Sequence, residues 1–452
     1  MIHQSDTIAP EIGAAANPVR LLVTNAQGAQ AYAIIRALRP AADRIVATMD
    51  GATRWKARTS HAANSRHVDA RHYTPNPSVD WLAGIMQDTN TDNEEAYVRR
   101  IEEICRAERI DTIFPSSDAE VYIFSKNTSR FARQGIVCVV QEYHLLKVPL
   151  DKYETILAAQ RAGFPCPDTI VPDGVDDIEA FANRIGPPWV IKPRCTFGGR
   201  GTTIVRKRED LAPMYRVANA RQPRPMIQEF IPGRVRESYY VVMDRDVRIR
   251  SFMCTEPLKN MQRLFRDAVA SFTLRVDHPY FSQIEALMRE IGSWGGFTIQ
   301  AKRDARDGVP KLMEVNPRLG TRLWYRTQAG VNEPLLCLQC ARGEPIETVT
   351  HFPEGAIVFE PIEDLLELPL ELLDLFLYRI RTGLLGMKPT DPDNPPYRLA
   401  ELIGSFKTNY RPGRKKVIGI HVRHLLDDPL PCLLWYYAYV GYLLRTVRKR
   451  GK

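Results

Sequence analysis

The chain of 452 residues has no apolar run long enough to span a bilayer. Its longest, Leu430–Leu444 (LPCLLWYYAYVGYLL), falls short of the ~20 residues a crossing helix needs. Met1–Asn17 has no basic stretch followed by an apolar one, so no secretory signal is expected there, only a flexible tail. Histidine is scarce, nine in all, and no Ser-His-Asp or Cys-His constellation stands out. Cys337 and Cys340 form a CxxC without a second pair at zinc spacing, so they read as one face of a packed helix. Most of the other cysteines (105, 138, 166, 195, 254 and 432) sit in apolar runs such as Ile136–Val140. That is the pattern of reduced, buried thiols and implies a cytoplasmic compartment. Basic residues interleaved with aromatics along a continuous face are also missing. The formal charge of +9 is instead concentrated around Arg411–Lys416 and Arg445–Lys452, and no nucleic-acid partner is expected.

What is present is ordinary globular composition, 44% hydrophobic and 25% charged, in a chain too long for one core. Two to four lobes are expected. Strand patterns at Arg20–Thr24, Arg44–Met49, Thr112–Pro115 and Ile136–Val140 alternate with helical periodicity at Ala31–Leu38 and Glu94–Glu108. Such alternation predicts a parallel α/β sheet. From Asp151 the texture changes. Asp151–Ala162 reads as a capped helix stopped by Gly163. Strands follow at Pro187–Lys192, Met226–Ile231, Ser238–Met243 and Val247–Cys254. Phe297–Lys302 and Lys311–Val315 are joined by DARDG, a good hairpin turn. Asp364–Tyr378 is leucine-rich and helical, and Pro389–Pro396 is a turn or linker.

Two constellations carry chemistry. Lys192 ends a strand and opens a glycine-rich turn, Gly198-Gly199-Arg-Gly201, before a second strand leaves. Glycines let backbone N–H groups fold over phosphates, and flanking strands distinguish this turn from a Walker loop. The second is sharper. Gln300 ends one hairpin strand, and Glu314 and Asn316 end its partner. All three offer oxygen to a hard cation, and residues two apart on a strand share a face. Arg318 and Arg322 follow in NPRLGTR, placed to neutralise a transferring phosphoryl group.

In these motifs, over roughly residues 110–345, the chain resembles the ATP-grasp superfamily. GFTIQAKRDARDGVPKLMEVNPRLGTR, with its 14-residue step from Gln300 to Glu314, is similar to the metal segment of carbamoyl-phosphate synthetase large subunits. Gln228-Glu229-Phe230-Ile231-Pro-Gly233 resembles the family's adenine hinge, and Asp151-Lys152 its early phosphate-contacting position. The resemblance implies an α/β, Rossmann-like pre-ATP-grasp domain at 18–147, an α+β ATP-grasp domain with lobes at 148–225 and 226–345, and a mostly helical extension at 346–452. It implies ATP and Mg²⁺ (or Mn²⁺) as cofactors. Lys152 and Lys192 would contact phosphates, Glu229 to Ile231 the adenine, Glu237 the ribose, and Gln300, Glu314 and Asn316 the metal. Arg318 and Arg322 would serve the reacting phosphoryl group. Two stretches depart from the pattern. Arg-Val-Arg separates Gly233 from Glu237. Met261–Thr273 lacks the histidine-containing stretch of the synthetases and carries Arg263 and Arg266, of which Arg263 is a third catalytic candidate.

The activity expected is a carboxylate–amine (or carboxylate–thiol) ligase working through an acyl phosphate. The alternatives are phosphorylation of bicarbonate or carbamate, and a non-catalytic nucleotide-binding scaffold at a membrane surface. Small carboxylates and amines are the expected partners, with a homodimer as a further expectation. Trp- and Tyr-rich Leu430–Leu444, followed at once by RTVRKRGK, suits either a docked helix or one lying at an anionic membrane through residues 429–452.

Overall fold

The computed structural model describes residues 18–51, 60–78, 89–196, 199–259, 270–274, 278–320, 322–349, 356–389, 395–411 and 416–450. Five parallel strands open the chain: β1 (Val19–Val23), β2 (Ala42–Asp50), β3 (Ala70–Thr74), β4 (Thr112–Phe114) and β5 (Val137–Cys138). They lie in the order β3-β2-β1-β4-β5. The near-continuous apolar run of β1 follows from burial on both faces. Leu21 and Val23 pack on helix Ala29–Leu38, while Leu22 packs on helices Asp92–Glu108 and Asp118–Ala132. Helix Asp92–Glu108 starts in a capping box: Thr91 Oγ1 accepts from Glu94 N at 3.2 Å and Glu94 Oε2 from Thr91 N at 2.9 Å.

A small antiparallel sheet follows, β6 (Thr169–Ile170), β7 (Trp189–Lys192), β8 (Thr203–Val205) and β9 (Met226–Glu229), ordered β6-β9-β7-β8. Helices Val175–Arg184 and Arg208–Arg221 cover it through Ile178, Phe181, Leu211 and Tyr215. The large sheet comprises β10 (Arg236–Met243), β11 (Ile249–Lys259), β12 (Ala270–Leu274), β13 (Gly295–Arg303), β14 (Pro310–Asn316), β15 (Ile357–Phe359) and β16 (Lys416–Ile418). Its order is β14-β13-β10-β11-β12-β15-β16. One face carries helices Lys152–Arg161 and Phe281–Ile291. The other shares a single core with the N-terminal sheet: Tyr240, Val242 and Met253 join Leu323, Tyr325 and Cys337 and the helix Ala29–Leu38.

Two expectations shift. The strand β9, read with the large lobe, belongs to the small sheet, because its Ile227 fills that sheet's core. Helix Lys152–Arg161, read with the small lobe, turns its Ile156, Ala158 and Ala159 onto the large sheet. The segment 346–452, expected to be mostly helical, also supplies β15 and β16, which complete the edge of the large sheet and pair in parallel with each other. All eight cysteines are free, and Cys337 and Cys340 are buried in helix Glu333–Ala341.

Candidate nucleotide and metal site

The site is assembled from strand ends. β7 is buried throughout and delivers Lys192 at its last position. The Lys192 ammonium donates to Gln228 Oε1 on β9 at 2.6 Å, and Gln228 Nε2 donates to Thr169 Oγ1 on β6 at 2.9 Å. Burial pulls the Lys192 pKa down to about 8, against the attraction of Glu314. β7 and β8 flank the glycine turn. Gly199 and Gly201 hold φ of +69° and +75°, and a Cβ on Gly201 would stand 2.7 Å from Pro193 Cγ. Gly198 lies outside the described residues.

Asp151 caps the helix that carries Lys152, accepting from Tyr153 N at 2.9 Å and pairing with Arg194 at 2.5 Å. The Lys152 ammonium donates to the carbonyl of Thr196 and lies 4.0 Å from Glu314 Oε2. Glu314 is directly opposite Gln300 in the β13–β14 register, and Asn316 is opposite Thr298. Ala301 pairs with Leu312, so Met313 is the extra residue of a bulge that sits against the site. Asn316 Nδ2 donates to Glu314 Oε1 at 3.2 Å. Residues 152, 192, 300, 314 and 316 are thereby brought together from four separate elements. No group of three His, Cys, Asp or Glu that could hold a metal occurs among the described residues. The metal reading rests on the mixed carboxylate–amide set, whose oxygens suit Mg²⁺.

The hinge is also ordered. Glu229 N donates to the Asp168 carbonyl at 2.8 Å, and its carboxylate pairs with Arg306 at 2.5 Å. Lys302 lies 5.0 Å over the Phe230 ring, and Ile231 is buried. Glu237 is buried on β10, its carboxylate taken up by Arg303 and by the hydroxyl of Tyr239. Arg318 Nε donates to Asp118 Oδ1 at 2.7 Å, across to the start of an N-terminal-domain helix. Beside it is a cavity of about 30 Å³ lined by Phe114, Pro115, Val139, Gln141, Trp294 and Arg318 among others. Arg322 caps helix Leu323–Gln328 and acts on buried Glu360, whose pKa is raised by burial and by Glu363 and lowered by Arg322. Arg263 lies outside the described residues.

Residues 151–324 match the family model described as "Carbamoyl-phosphate synthase L chain, ATP binding domain". Those residues run from the start of helix Lys152–Arg161, across the small and large sheets, to the start of helix Leu323–Gln328. The chain is 24% identical over 245 residues to the carbamoyl phosphate synthase large chain of Methanothrix thermoacetophila. The match takes in 52% of this chain and only 23% of that relative. In fold it is similar to the biotin carboxylase domain of Hydrogenobacter thermophilus 2-oxoglutarate carboxylase, with a TM-score of 0.58 at 16% identity, covering 75% of this chain and 74% of that one. N5-carboxyaminoimidazole ribonucleotide synthetase gives 0.56 at 14% identity, covering 88% and 98%. Around the residues that match, sequence reasoning missed Asp118, Gln141 and Trp294, which come from the N-terminal sheet's helices and loops and from a strand entry. It also missed the arginines Arg194, Arg303 and Arg306, which satisfy the acids of the site. An acid at a helix start carries no signal of a partner 200 residues away.

Proposed function

We propose that the chain is an ATP- and Mg²⁺-dependent ligase that activates a small carboxylate as an acyl phosphate and passes the acyl group to an amine. The observation that carries this is the convergence of Lys152 and Lys192 on Glu314, with Gln300 and Asn316 in register beside it. Two cations facing one carboxylate and two amides is the arrangement polyphosphate and a hard cation require. The H. thermophilus structure is itself a complex with MgADP and bicarbonate. A bound Mg²⁺ would neutralise charge on the β- and γ-phosphates. Lys192 and Lys152 hold the phosphates, and the Gly199–Gly201 backbone closes over them. A carboxylate oxygen beside Arg318 attacks the γ-phosphorus, and the bond to the β–γ bridging oxygen breaks to release ADP. The amine nitrogen then attacks the acyl carbon, inorganic phosphate leaves, and the amine gives up a proton. No protein nucleophile takes part.

The test is ADP release screened over carboxylic acids and amines. Release that needs neither would sink the proposal. Glu314→Ala is expected to lower turnover on the order of 100-fold with an unchanged melting temperature; unaltered turnover would refute the metal role. A second reading is phosphorylation of bicarbonate, the anion bound in the H. thermophilus structure. ADP release with bicarbonate as the sole acid and no amine would decide for it.

A further inference from the structure

The helices after Glu360 are inside out. Among the described residues, nineteen of the twenty-four exposed large apolar side chains fall between Leu365 and Leu444, so this one segment holds most of the exposed apolar surface. Helix Pro361–Arg379 shows the arrangement best. Leu365, Leu366, Leu372, Leu373, Phe376 and Leu377 point outward, whereas Glu363, Asp364 and Glu367 are buried. A helix facing water does the reverse, because burying leucine is favourable and burying a carboxylate is costly.

The buried acids are held by the two neighbouring helices. Trp435 Nε1 donates to Glu363 Oε1 at 2.8 Å and the Tyr439 hydroxyl to Glu367 Oε1 at 2.8 Å, both from helix Pro429–Arg450. Asn409 Nδ2 donates to Asp364 Oδ2 at 3.5 Å from helix Leu399–Tyr410. Those helices expose apolar stripes of their own. Leu399, Ile403 and Phe406 follow at steps of four and three. Leu430, Leu433, Tyr437, Val440 and Leu444 follow at alternating steps of three and four, one continuous helical face. The layer is polar where its helices meet and apolar on its outside.

An apolar exterior of this extent calls for an apolar neighbour. Among the described residues no helix is long and apolar enough to cross a membrane, so the layer would lie on a bilayer rather than span it. Charge selects between a bilayer and a second copy of the chain. Residues 361–452 contain fifteen Lys and Arg against ten Asp and Glu, more than half of the chain's positive excess, and the acids among them that lie buried, Glu363, Asp364, Glu367 and Asp428, do not reach the outer face. A two-fold interface would set these basic segments near each other, whereas anionic headgroups neutralise them. Tyr437, exposed on that face, adds the aromatic character of an interface helix. We propose that the layer formed by helices Pro361–Arg379, Leu399–Tyr410 and Pro429–Arg450 rests on the surface of an anionic lipid bilayer. It would hold the candidate nucleotide site at that surface.

The test is co-sedimentation of the full chain with vesicles of phosphatidylcholine alone or with phosphatidylserine added. Binding is expected to the anionic vesicles and to fall as salt rises. Phe376→Glu with Leu433→Glu is expected to weaken partitioning by about 100-fold, roughly tenfold for each large side chain withdrawn from lipid. Replacing Arg448, Lys449 and Arg450 by glutamine removes three charges from the end of helix Pro429–Arg450 and leaves every apolar residue of the sequence in place. Each change is expected to cost about fivefold on anionic vesicles. ADP release and the melting temperature serve as controls on folding. Failure of the unaltered chain to bind anionic vesicles would overturn the proposal. So would sedimentation as a dimer that the Phe376→Glu, Leu433→Glu variant dissociates, since the face would then be an interface between copies.

Discussion

Lys192 is a buried ammonium held on a neutral acceptor, Gln228 Oε1, with the Glu314 carboxylate attracting it from the large sheet. Burial brings its pKa from the ordinary 10.5 down to about 8. Between those two values the unfolded chain binds more protons at this position than the folded one. The fold therefore bears the full penalty for the charged form below pH 8, and that penalty fades as pH rises toward 10.5. A polyphosphate placed against the ammonium reverses the balance, because an opposite charge favours the protonated form. Nucleotide binding above pH 8 should then take up a proton. Calorimetry of ADP binding at pH 8.5, in buffers of different ionisation heat, should show uptake that disappears in Lys192→Met. Equal uptake in the variant would assign the proton elsewhere.

The turn after β9 shows how tightly the hinge is drawn against the hairpin. Gly233 has φ of +115°, and a Cβ there would stand 2.7 Å from the carbonyl oxygen of Arg303. Backbone cannot give way as a side chain tip can. Gly233→Ala should cost on the order of 1–3 kcal/mol and weaken nucleotide binding, because strand entry and hinge move together. Gly135→Ala is the control. It shares a left-handed backbone, φ of +74°, but meets nothing within 4 Å, so its cost should stay near ~1 kcal/mol and leave nucleotide affinity unchanged. Equal melting temperatures and affinities in the two variants would remove the role assigned to Gly233. Elements of this kind were legible to different degrees. The β13–β14 hairpin could be read because Asp304–Gly308 closes it, with Gly308 N donating to the Asp304 carbonyl at 2.8 Å, and because polar positions mark its ends. Its bulge at Met313 could not be read, since one extra residue leaves no trace in an alternating pattern. β15 and β16 are three residues each and find their partners across long separations, so no period distinguishes them. The burial of Glu237 was likewise hidden, because it depends on Arg303 facing it from the next strand. Lys152, Lys192 and Glu314 were legible as candidates by type and order, but their convergence is a property of one helix and two sheets and not of spacing.

At the scale of the molecule, the segment after Glu360 returns to the first domain and locks onto it. Arg36 pairs with Asp427 at 2.6 Å, and Asp428 accepts from Ser65 at 2.5 Å and Tyr32 at 3.2 Å. Behind them His421 is stacked on Trp435, ring centroids 4.6 Å apart and planes within 4°, with Tyr32 at 5.8 Å on a nearly parallel plane and His61 edge-on at 5.6 Å. Both ring nitrogens of His421 are buried without a hydrogen-bond partner, so a proton there has nothing to compensate it. Burial lowers the pKa of His421 well below its usual value, and that of His61 and His424 to about 4. For a histidine with a lowered folded pKa, the unfolded chain binds more protons between about 4 and 6.5. Stability is therefore present in full above pH 6.5 and lost as pH falls through that window, at up to ~1.4 kcal/mol per unit for each ring. Acidification from pH 7 to pH 5 should loosen the junction before it unfolds the sheets, because the rings sit where the returning segment meets helix Ala29–Leu38. Trp435 reports the event directly: its fluorescence should change over that range while far-ultraviolet dichroism holds. His421→Phe preserves a flat ring against the indole and removes the most strongly shifted proton site, so it should shift the change to lower pH. A transition at the same pH in His421→Phe would show that the carboxylates Asp427 and Asp428, not the buried imidazole, govern the junction.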